Sequence, residues 1–343
     1  MPPALKHEKN TVTGSSSNRN VALDFTKGAL VLFMVLYHWL NYFHGLHGSI
    51  YRYLRFLPPS FIFITGFLIS NAYLAKYDLG DSRLPKRLLL RGLKILGLFI
   101  LLNIISGFLL TGFENFNIDS FVAVFGTGNV LVVGVGKAAA FYILVPISYL
   151  LLLSAILLII CRIYKYTFYV VCALFLLGIF GLDLVGFKSA NLELVTIGLL
   201  GLILGYTPIH KINAFVRHPY LIAAAYICYT IAITFWEPNY PLQIAGVCLT
   251  LMLVYQLGTV SSETQGVGKL IVLVGKYSLF GYIAQVAILR LLRGALRYTD
   301  LNTALLVLSF VVALALTVLA VVALDRARSK SVTVDRVYKE IFA

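Results

Sequence analysis

The chain has 343 residues, of which 60% are hydrophobic and only 12% are charged, and its formal net charge is +14 at pH 7. An ordinary soluble domain is about a quarter charged and about half apolar, so this composition excludes that class. It predicts an all-α, polytopic integral membrane protein. Membrane proteins gather basic residues in their cytoplasmic loops, so the positive charge does not indicate a nucleic-acid partner.

A membrane-spanning helix needs about 20 predominantly apolar residues. We predict about ten such helices, at residues 21–43, 58–76, 88–111, 138–161, 166–185, 191–208, 219–236, 241–259, 269–292 and 301–325. If both termini are cytoplasmic, about three quarters of the 28 Lys and Arg residues lie on the inner side, as the positive-inside rule requires. Residues 1–19 are then a disordered cytoplasmic tail, residues 20–326 the membrane domain, and residues 327–343 a second cytoplasmic tail.

The first apolar segment carries polar groups that a plain lipid anchor does not need. Asp24, Lys27, His38 and Asn41 follow one another at spacings of 3, 11 and 3 residues, and on an α-helix these steps keep all four side chains in one stripe. Ionisable groups at membrane depth are costly and usually face the protein interior. The pattern predicts a buried polar stripe, with Lys27 near the cytoplasmic face and His38 in the outer half of the membrane.

The densest basic cluster begins the third predicted span. Lys86, Arg87, Arg91 and Lys94 follow one another at spacings of 1, 4 and 3 residues, so several of them share one helix face. They either orient the helix beside anionic lipid or bind a phosphorylated cytoplasmic ligand, since Arg binds phosphate bidentately and Lys binds it as a point charge.

The ninth predicted span carries a second polar stripe. Ser278, Tyr282 and Gln285 follow the 3–4 spacing of one helix face, which is compatible either with polar packing or with contact to a substrate. The four cysteines lie in or beside apolar runs without the spacing of a metal site or a disulfide framework, so no metal is expected.

Four motifs occur in order along the chain: LDFTKGALVLFMVLYH, FIFITGFLI, PKRLLLRGLKIL and LVGKYSLFGYIAQ. Together they resemble the transmembrane acyltransferase superfamily, which includes the acyltransferase-3 enzymes, the glucan succinyltransferases and the heparan-alpha-glucosaminide N-acetyltransferase catalytic domain. The first helix of that family has an Arg eleven residues before a His. Here Lys27 stands for the Arg and the interval to His38 is kept, while Thr65 stands for a Ser and Gln285 for the last His.

The resemblance implies an acyl-CoA-dependent O- or N-acyltransferase that spans the plasma (inner) membrane several times. It would move an acyl group, acetyl above all, from cytoplasmic acyl-CoA to a hydroxyl or amine of a glycan or lipid-linked sugar at the membrane or its outer face. Membrane lipids and a second copy of the chain, forming a homodimer, are the other expected partners.

His38 is the expected general base, because an unperturbed His titrates near pH 6.5 and base catalysis typically gains about 10²–10⁴-fold. Its alternative role is a structural hydrogen bond between helices. Asn41 would orient the His38 ring or the acceptor, and Asp24 would form a salt bridge with Lys27 or Arg91 at the donor end. The resemblance makes Lys27, Lys86, Arg87 and Arg91 candidates for binding the donor, and Ser278, Tyr282 and Gln285 candidates for binding the acceptor.

Two alternatives to the enzyme stay open at this point. The same polar stripe would suit a transporter or flippase of a lipid-linked sugar, which would move its substrate without an acyl donor. A membrane scaffold would follow if Lys27 and Gln285, which replace the family's Arg and His, abolish the chemistry. Transfer through a covalent His intermediate and direct transfer are both compatible with the sequence.

Overall fold

The computed structural model is a bundle of long helices. It describes residues 20–43, 49–74, 81–106, 122–128, 131–132, 136–137, 141–161, 164, 166–236, 239–261, 266–296 and 302–342. Within them, the regular structure is helical apart from strands β1 (Leu131–Val132) and β2 (Gly136–Lys137), which pair antiparallel. The all-helical class is therefore confirmed, and the predicted tail at residues 1–19 lies outside the described residues.

The α-helices are α1 (Val21–Phe43), α2 (Ser49–Arg52), α3 (Leu57–Leu68), α4 (Arg83–Ser106), α5 (Leu144–Cys161), α6 (Thr167–Leu184), α7 (Ala190–Gly205), α8 (Ile209–Val216), α9 (Pro219–Phe235), α10 (Tyr240–Ser261), α11 (Val267–Lys276), α12 (Ser278–Ala295), α13 (Thr303–Lys330) and α14 (Val332–Phe342). Two π-helical segments add to them, Ile69–Leu74 directly after α3 and Val122–Thr127.

By length and composition, seven of the described helices can cross a membrane, or nine if each of two bent pairs is counted as one span. The bent pairs are α7 with α8, at 100°, and α11 with α12, at 95°. Each of the ten predicted segments overlaps a described helix, but α9 has only 17 residues, so the count of ten is not confirmed. The ninth segment was predicted as one helix, whereas the chain turns sharply at Tyr277. The side on which the termini lie stays a prediction.

Helix α1 lies at the centre of the bundle, where it contacts α3, α10, α11, α12 and α13. Asp24 is 4% exposed, the Lys27 side chain is 18% exposed, and His38 and Asn41 are partly buried. The predicted polar stripe on α1 therefore faces the interior of the protein, as the cost of ionisable groups in a membrane requires.

Glycines bring two pairs of helices into backbone contact. A Cβ atom on Gly275 of α11 would lie 1.7 Å from the Asp24 carbonyl oxygen of α1, and a Cβ on Gly66 of α3 would lie 1.9 Å from the Gly198 carbonyl oxygen of α7. Small residues permit such close crossings between membrane helices. These contacts set the spacing of the helices that line the candidate site.

Candidate functional site

A cavity of about 190 Å³ lies where α1 and α4 begin, and we call it the basic cavity. The polar and charged side chains that line it are Lys27, Thr65, Tyr73, Arg91, Lys276, Ser278, Tyr282 and Tyr338. The structure thus brings together four of the predicted site residues from three helices: Lys27, Arg91, Ser278 and Tyr282.

Two of the three cations in the basic cavity are paired with carboxylates. The Lys27 Nζ atom lies 2.6 Å from Asp24 Oδ1. Asp24 was predicted to pair with Lys27 or Arg91, and the described ion pair is with Lys27. The Lys276 Nζ atom lies 3.2 Å from Asp325 Oδ1 of α13. Lys276 directly precedes the predicted stripe of α12, but the sequence did not indicate that its side chain reaches this cavity.

The third cation, Arg91, has a neutral partner. Its guanidinium donates a hydrogen bond to the Tyr73 hydroxyl, and no described carboxylate forms an ion pair with it. Tyr73 belongs to the π-helical segment after α3, where the Ser70 hydroxyl donates a 2.6 Å hydrogen bond to the Leu202 carbonyl. A π-helix changes the angle between successive side chains, so α-helical spacing did not predict the position of Tyr73.

The other two residues predicted to bind a donor do not line the basic cavity. Lys86 and Arg87 precede Arg91 on α4, and both are exposed. The predicted basic cluster is therefore divided, with Arg91 facing the cavity and Lys86 and Arg87 at the surface of the bundle.

His38 does not line the basic cavity, but its ring lies next to that of a residue that does. Its ring centroid is 5.9 Å from that of Tyr282, which lines this cavity. The His38 centroid is also 5.4 Å from that of Tyr37, and Tyr37 lines a second cavity of about 630 Å³. His38 itself lines neither cavity, but one of its aromatic neighbours faces each of them.

The second cavity, which we call the polar cavity, lies at the opposite end of α1. Its aromatic and hydrogen-bonding side chains include Tyr37, Arg55, Tyr142, Lys188, Glu193, Asn239, Tyr240 and Gln243. The Tyr240 hydroxyl donates a 2.9 Å hydrogen bond to the Glu193 carbonyl, so part of the lining is held in place. These residues come from separate segments of the chain, and sequence spacing gave no sign that they meet.

The turn before α5 separates the two cavities. Tyr142 lines the polar cavity, whereas Ile143 and Leu144 line the basic cavity. Phe141 is buried with its ring 6.4 Å from that of Tyr282, and its φ of 57° is in the left-handed region. This backbone conformation is unfavourable for a bulky side chain and is often found at functional sites.

Gln285 and Asn41 complete the predicted polar positions. Gln285 has 0% exposure, and neither polar atom of its amide has a hydrogen-bond partner in the described part of the chain. Such a group is costly unless water or a ligand satisfies it. Asn41 lies one turn beyond His38 with its Oδ1 atom buried.

The segment predicted to be a C-terminal tail contains α14, and its Tyr338 and Phe342 side chains line the basic cavity. Lys339 and Arg328 donate hydrogen bonds to Asp335, and these bonds hold the pKa of the Asp335 carboxyl below its usual range. The apolar residues of this segment recur at 3–4 residue spacing, a signal of a helix that was overlooked.

Residues 20–326 match the acyltransferase-3 family model, which is described as an acyltransferase domain. Neither the curated proteins nor the solved structures include a match to this chain. The matched range contains every predicted site residue and ends before α14.

Proposed function

Because the chain belongs to the acyltransferase-3 family, we propose that it moves an acyl group, acetyl above all, from acyl-CoA to a hydroxyl or amine of a glycan or lipid-linked sugar. The observation that carries this proposal is that His38 has two aromatic neighbours, Tyr282 and Tyr37, each of which lines a different cavity. The lining of the basic cavity has three cations and no carboxylate, whereas that of the second cavity has Arg55 and Lys188 together with Asp183 and Glu193.

The basic cavity suits the donor. Its cations attract phosphate, and Arg91 is the strongest candidate, because a guanidinium binds phosphate bidentately and its described partner is a neutral hydroxyl. Lys27 contributes less net charge, since Asp24 lies 2.6 Å from its Nζ atom. Ser278 and Tyr282 were expected to bind the acceptor, but they line the same cavity as the cations. We therefore propose that their hydroxyls donate hydrogen bonds to the thioester carbonyl of the donor.

The polar cavity suits the acceptor. Its volume of about 630 Å³ is within the range of about 300–1,000 Å³ that is usual for ligand sites. Its tyrosines offer flat apolar surface to sugar rings, while side chains such as Asn239 and Gln243 offer donors and acceptors to sugar hydroxyls. We propose that this cavity faces the outer side of the plasma membrane and that the basic cavity faces the cytoplasm.

His38 is the proposed general base. It removes the proton from the attacking hydroxyl or amine as the new bond to the acyl carbon forms, and it gives that proton to the departing thiolate sulfur. A base of this kind typically contributes about 10²–10⁴-fold to the rate. We propose direct transfer, with the donor in the basic cavity and the acceptor in the polar cavity at the same time.

Binding of acetyl-CoA to the purified protein in nanodiscs tests the proposal. We expect saturable binding that Arg91→Ala weakens by at least about tenfold, since a hydrogen bond to a charged group is worth about 1.5–3 kcal/mol. Arg87→Ala is the matched control, because Arg87 lies one turn earlier on α4 at the exposed surface, and it should bind as the wild type does.

The opposite result would favour the transport alternative. If the wild type does not bind acetyl-CoA, and vesicles containing it move a lipid-linked sugar across the membrane without any donor, the chain is a flippase. Equal weakening by Arg91→Ala and Arg87→Ala would mean that the basic cavity is not where the phosphates bind.

A further inference from the structure

The basic cavity is smaller than the donor it is proposed to hold. Its volume is about 190 Å³, whereas sites that enclose drug-sized ligands usually measure about 300–1,000 Å³. An acyl group and the adjoining thioester fit into this space, but the nucleotide of the same donor does not. Because the proposed function also brings the phosphates of the donor to the cations of this cavity, the cavity has to widen when the donor binds.

Helix α14 is the part of the cavity wall that is held least firmly. Its Tyr338 and Phe342 side chains line the cavity, yet none of the residues of α14 is buried. Each of the other helices that contribute to the lining has buried residues. A segment with few buried contacts opens at a lower cost in free energy than the core does, so the cavity widens most readily at α14.

The two rings of α14 close the wall through contacts with other protein groups. The Tyr338 and Phe342 rings stack on each other, with centroids 5.0 Å apart and planes that differ by 21°. The Arg328 guanidinium lies 4.0 Å from the Tyr338 ring centroid, and the Phe342 ring lies 6.1 Å from the Phe280 ring. These rings are therefore engaged by the protein itself, and they occupy space beside the cations.

Asp335 fixes the angle between α13 and α14. The Arg328 Nε atom, in the last turn of α13, donates a 2.9 Å hydrogen bond to Asp335 Oδ1, and the Lys339 Nζ atom lies 2.6 Å from Asp335 Oδ2. Ser331 is the single residue between the two helices, and its backbone is extended, so a rotation there moves α14 as one unit. Asp335 itself does not line the basic cavity, so its ion pairs hold α14 in place without contacting a ligand there.

We propose that α14 is a strap that closes the basic cavity, and that acyl-CoA binds only when α14 has moved away by rotation at Ser331. This proposal rests on the proposed function. Docking of α14 and binding of the donor then exclude each other. The apparent dissociation constant for the donor is the intrinsic constant divided by the fraction of molecules in which α14 is released. A change that weakens the docking of α14 therefore tightens the binding of the donor.

Binding of acetyl-CoA to the full-length chain in nanodiscs tests the strap. We expect Asp335→Asn, which keeps the shape of the side chain but removes its ion pairs, to tighten acetyl-CoA binding by about two- to fivefold, as suits the loss of partly exposed pairs. Removing a negative charge could by itself attract an anionic donor, so the control has to remove the same charge. Glu340→Gln does so on the same helix, because Glu340 is exposed and forms none of the described ion pairs, and it should bind acetyl-CoA as the wild type does.

A distance across the strap reports its movement directly. Spin labels on Glu340→Cys of α14 and Lys269→Cys of α11, both at exposed positions, allow the measurement by double electron–electron resonance in a background with the four native cysteines replaced by Ala. We expect acetyl-CoA to lengthen the mean distance between the labels. Asp335→Asn should populate the longer distance without any donor.

Three results would overturn the strap while leaving the proposed function intact. They are an Asp335→Asn variant that binds acetyl-CoA no more tightly than Glu340→Gln does, an Asp335→Asn variant that binds it more weakly than the wild type, and a label distance that acetyl-CoA does not change. Phe280→Ala removes a ring that contacts Phe342 and lies outside the cavity lining, so it replaces Asp335→Asn, with the same expected tightening, if that variant does not fold. If neither the wild type nor these variants bind acetyl-CoA, the proposed function itself is refuted.

Discussion

His38 has an aromatic neighbour facing each cavity, Tyr37 on one side and Tyr282 on the other. In the proposed reaction, His38 is the proton acceptor and the two cavities hold the two substrates. The arrangement also leaves the structural alternative, a hydrogen bond between helices, open to a direct test, because the two roles differ in what their loss changes.

We expect His38→Gln, which keeps a hydrogen-bonding side chain of similar size but cannot accept a proton near neutral pH, to lower kcat by about 10²–10⁴-fold. Acetyl-CoA binding and the thermal midpoint should be unchanged. Acetyl transfer, donor binding and thermal unfolding of the same preparation give the three values. A variant with a lowered midpoint and full activity of its folded fraction would assign His38 to structure.

Gln285 shows that helical spacing predicts which residues share a helix face but not which partners their side chains meet. It continues the helix face of Ser278 and Tyr282, which the sequence predicts as a polar stripe, and in the structure it is fully buried at 0% exposure. The pattern could not say whether its amide would find a partner, since partners come from other helices. Its unsatisfied amide atoms within the described structure make it a candidate for contact with water or substrate.

The close contact between α3 and α7 at Gly66 predicts that a larger residue there lowers the stability of the protein. Gly66→Ala would place a methyl carbon 1.9 Å from the Gly198 carbonyl oxygen, and backbone atoms cannot give way as a flexible side chain does. We expect a loss of at least about 1–3 kcal/mol, the usual cost of overpacking, measured as the unfolding midpoint in detergent.

Gly97→Ala is the control for this prediction. Gly97 lies within α4, and a Cβ atom there would have no heavy atom within 4 Å. Because Ala has a higher helix propensity than Gly, this variant should be as stable as the wild type or gain up to about 1 kcal/mol. Equal destabilisation by the two variants would show that the α3–α7 crossing is not as close as described.

Elements that depend on tertiary contacts were the least predictable. Hydrophobicity identified the long helices because apolar length is a local property, but the turn of 95° at Tyr277 interrupts an apolar run without proline. The π-helical segment after α3 likewise carries no obvious sequence signal. Both features place a side chain in the basic cavity, Lys276 beside the turn and Tyr73 in the π-helix. Because neither feature follows from apolar length, the sequence did not predict that these two side chains line the cavity.

The distribution of Lys and Arg predicts the orientation of the whole chain in the membrane, and labelling from one side can check it. We expect a membrane-impermeant maleimide to label Lys188→Cys in intact cells and Arg336→Cys only after permeabilisation. The background has the four native cysteines replaced by Ala. Both positions are exposed, so the difference reports the side of the membrane. The reverse labelling would invert the orientation and move the basic cavity to the outer face.

The sequence predicted more of the basic cavity than of the polar cavity. The polar stripe of α1 and the stripe of α12 were found, because helical periodicity is a local property, and they account for Lys27, His38, Ser278 and Tyr282. The polar cavity was not found, because its lining comes from loops and helix ends far apart in the chain. Which of those segments meet depends on the packing of the whole bundle.

The turn at Phe141 has a thermodynamic consequence. Consecutive residues of this turn form walls of both cavities, so a ligand that displaces it on one side reshapes the other side as well. Binding at the two cavities is then linked by a coupling free energy, and this coupling is reciprocal: whatever factor the first ligand imposes on the affinity of the second, the second imposes on the first.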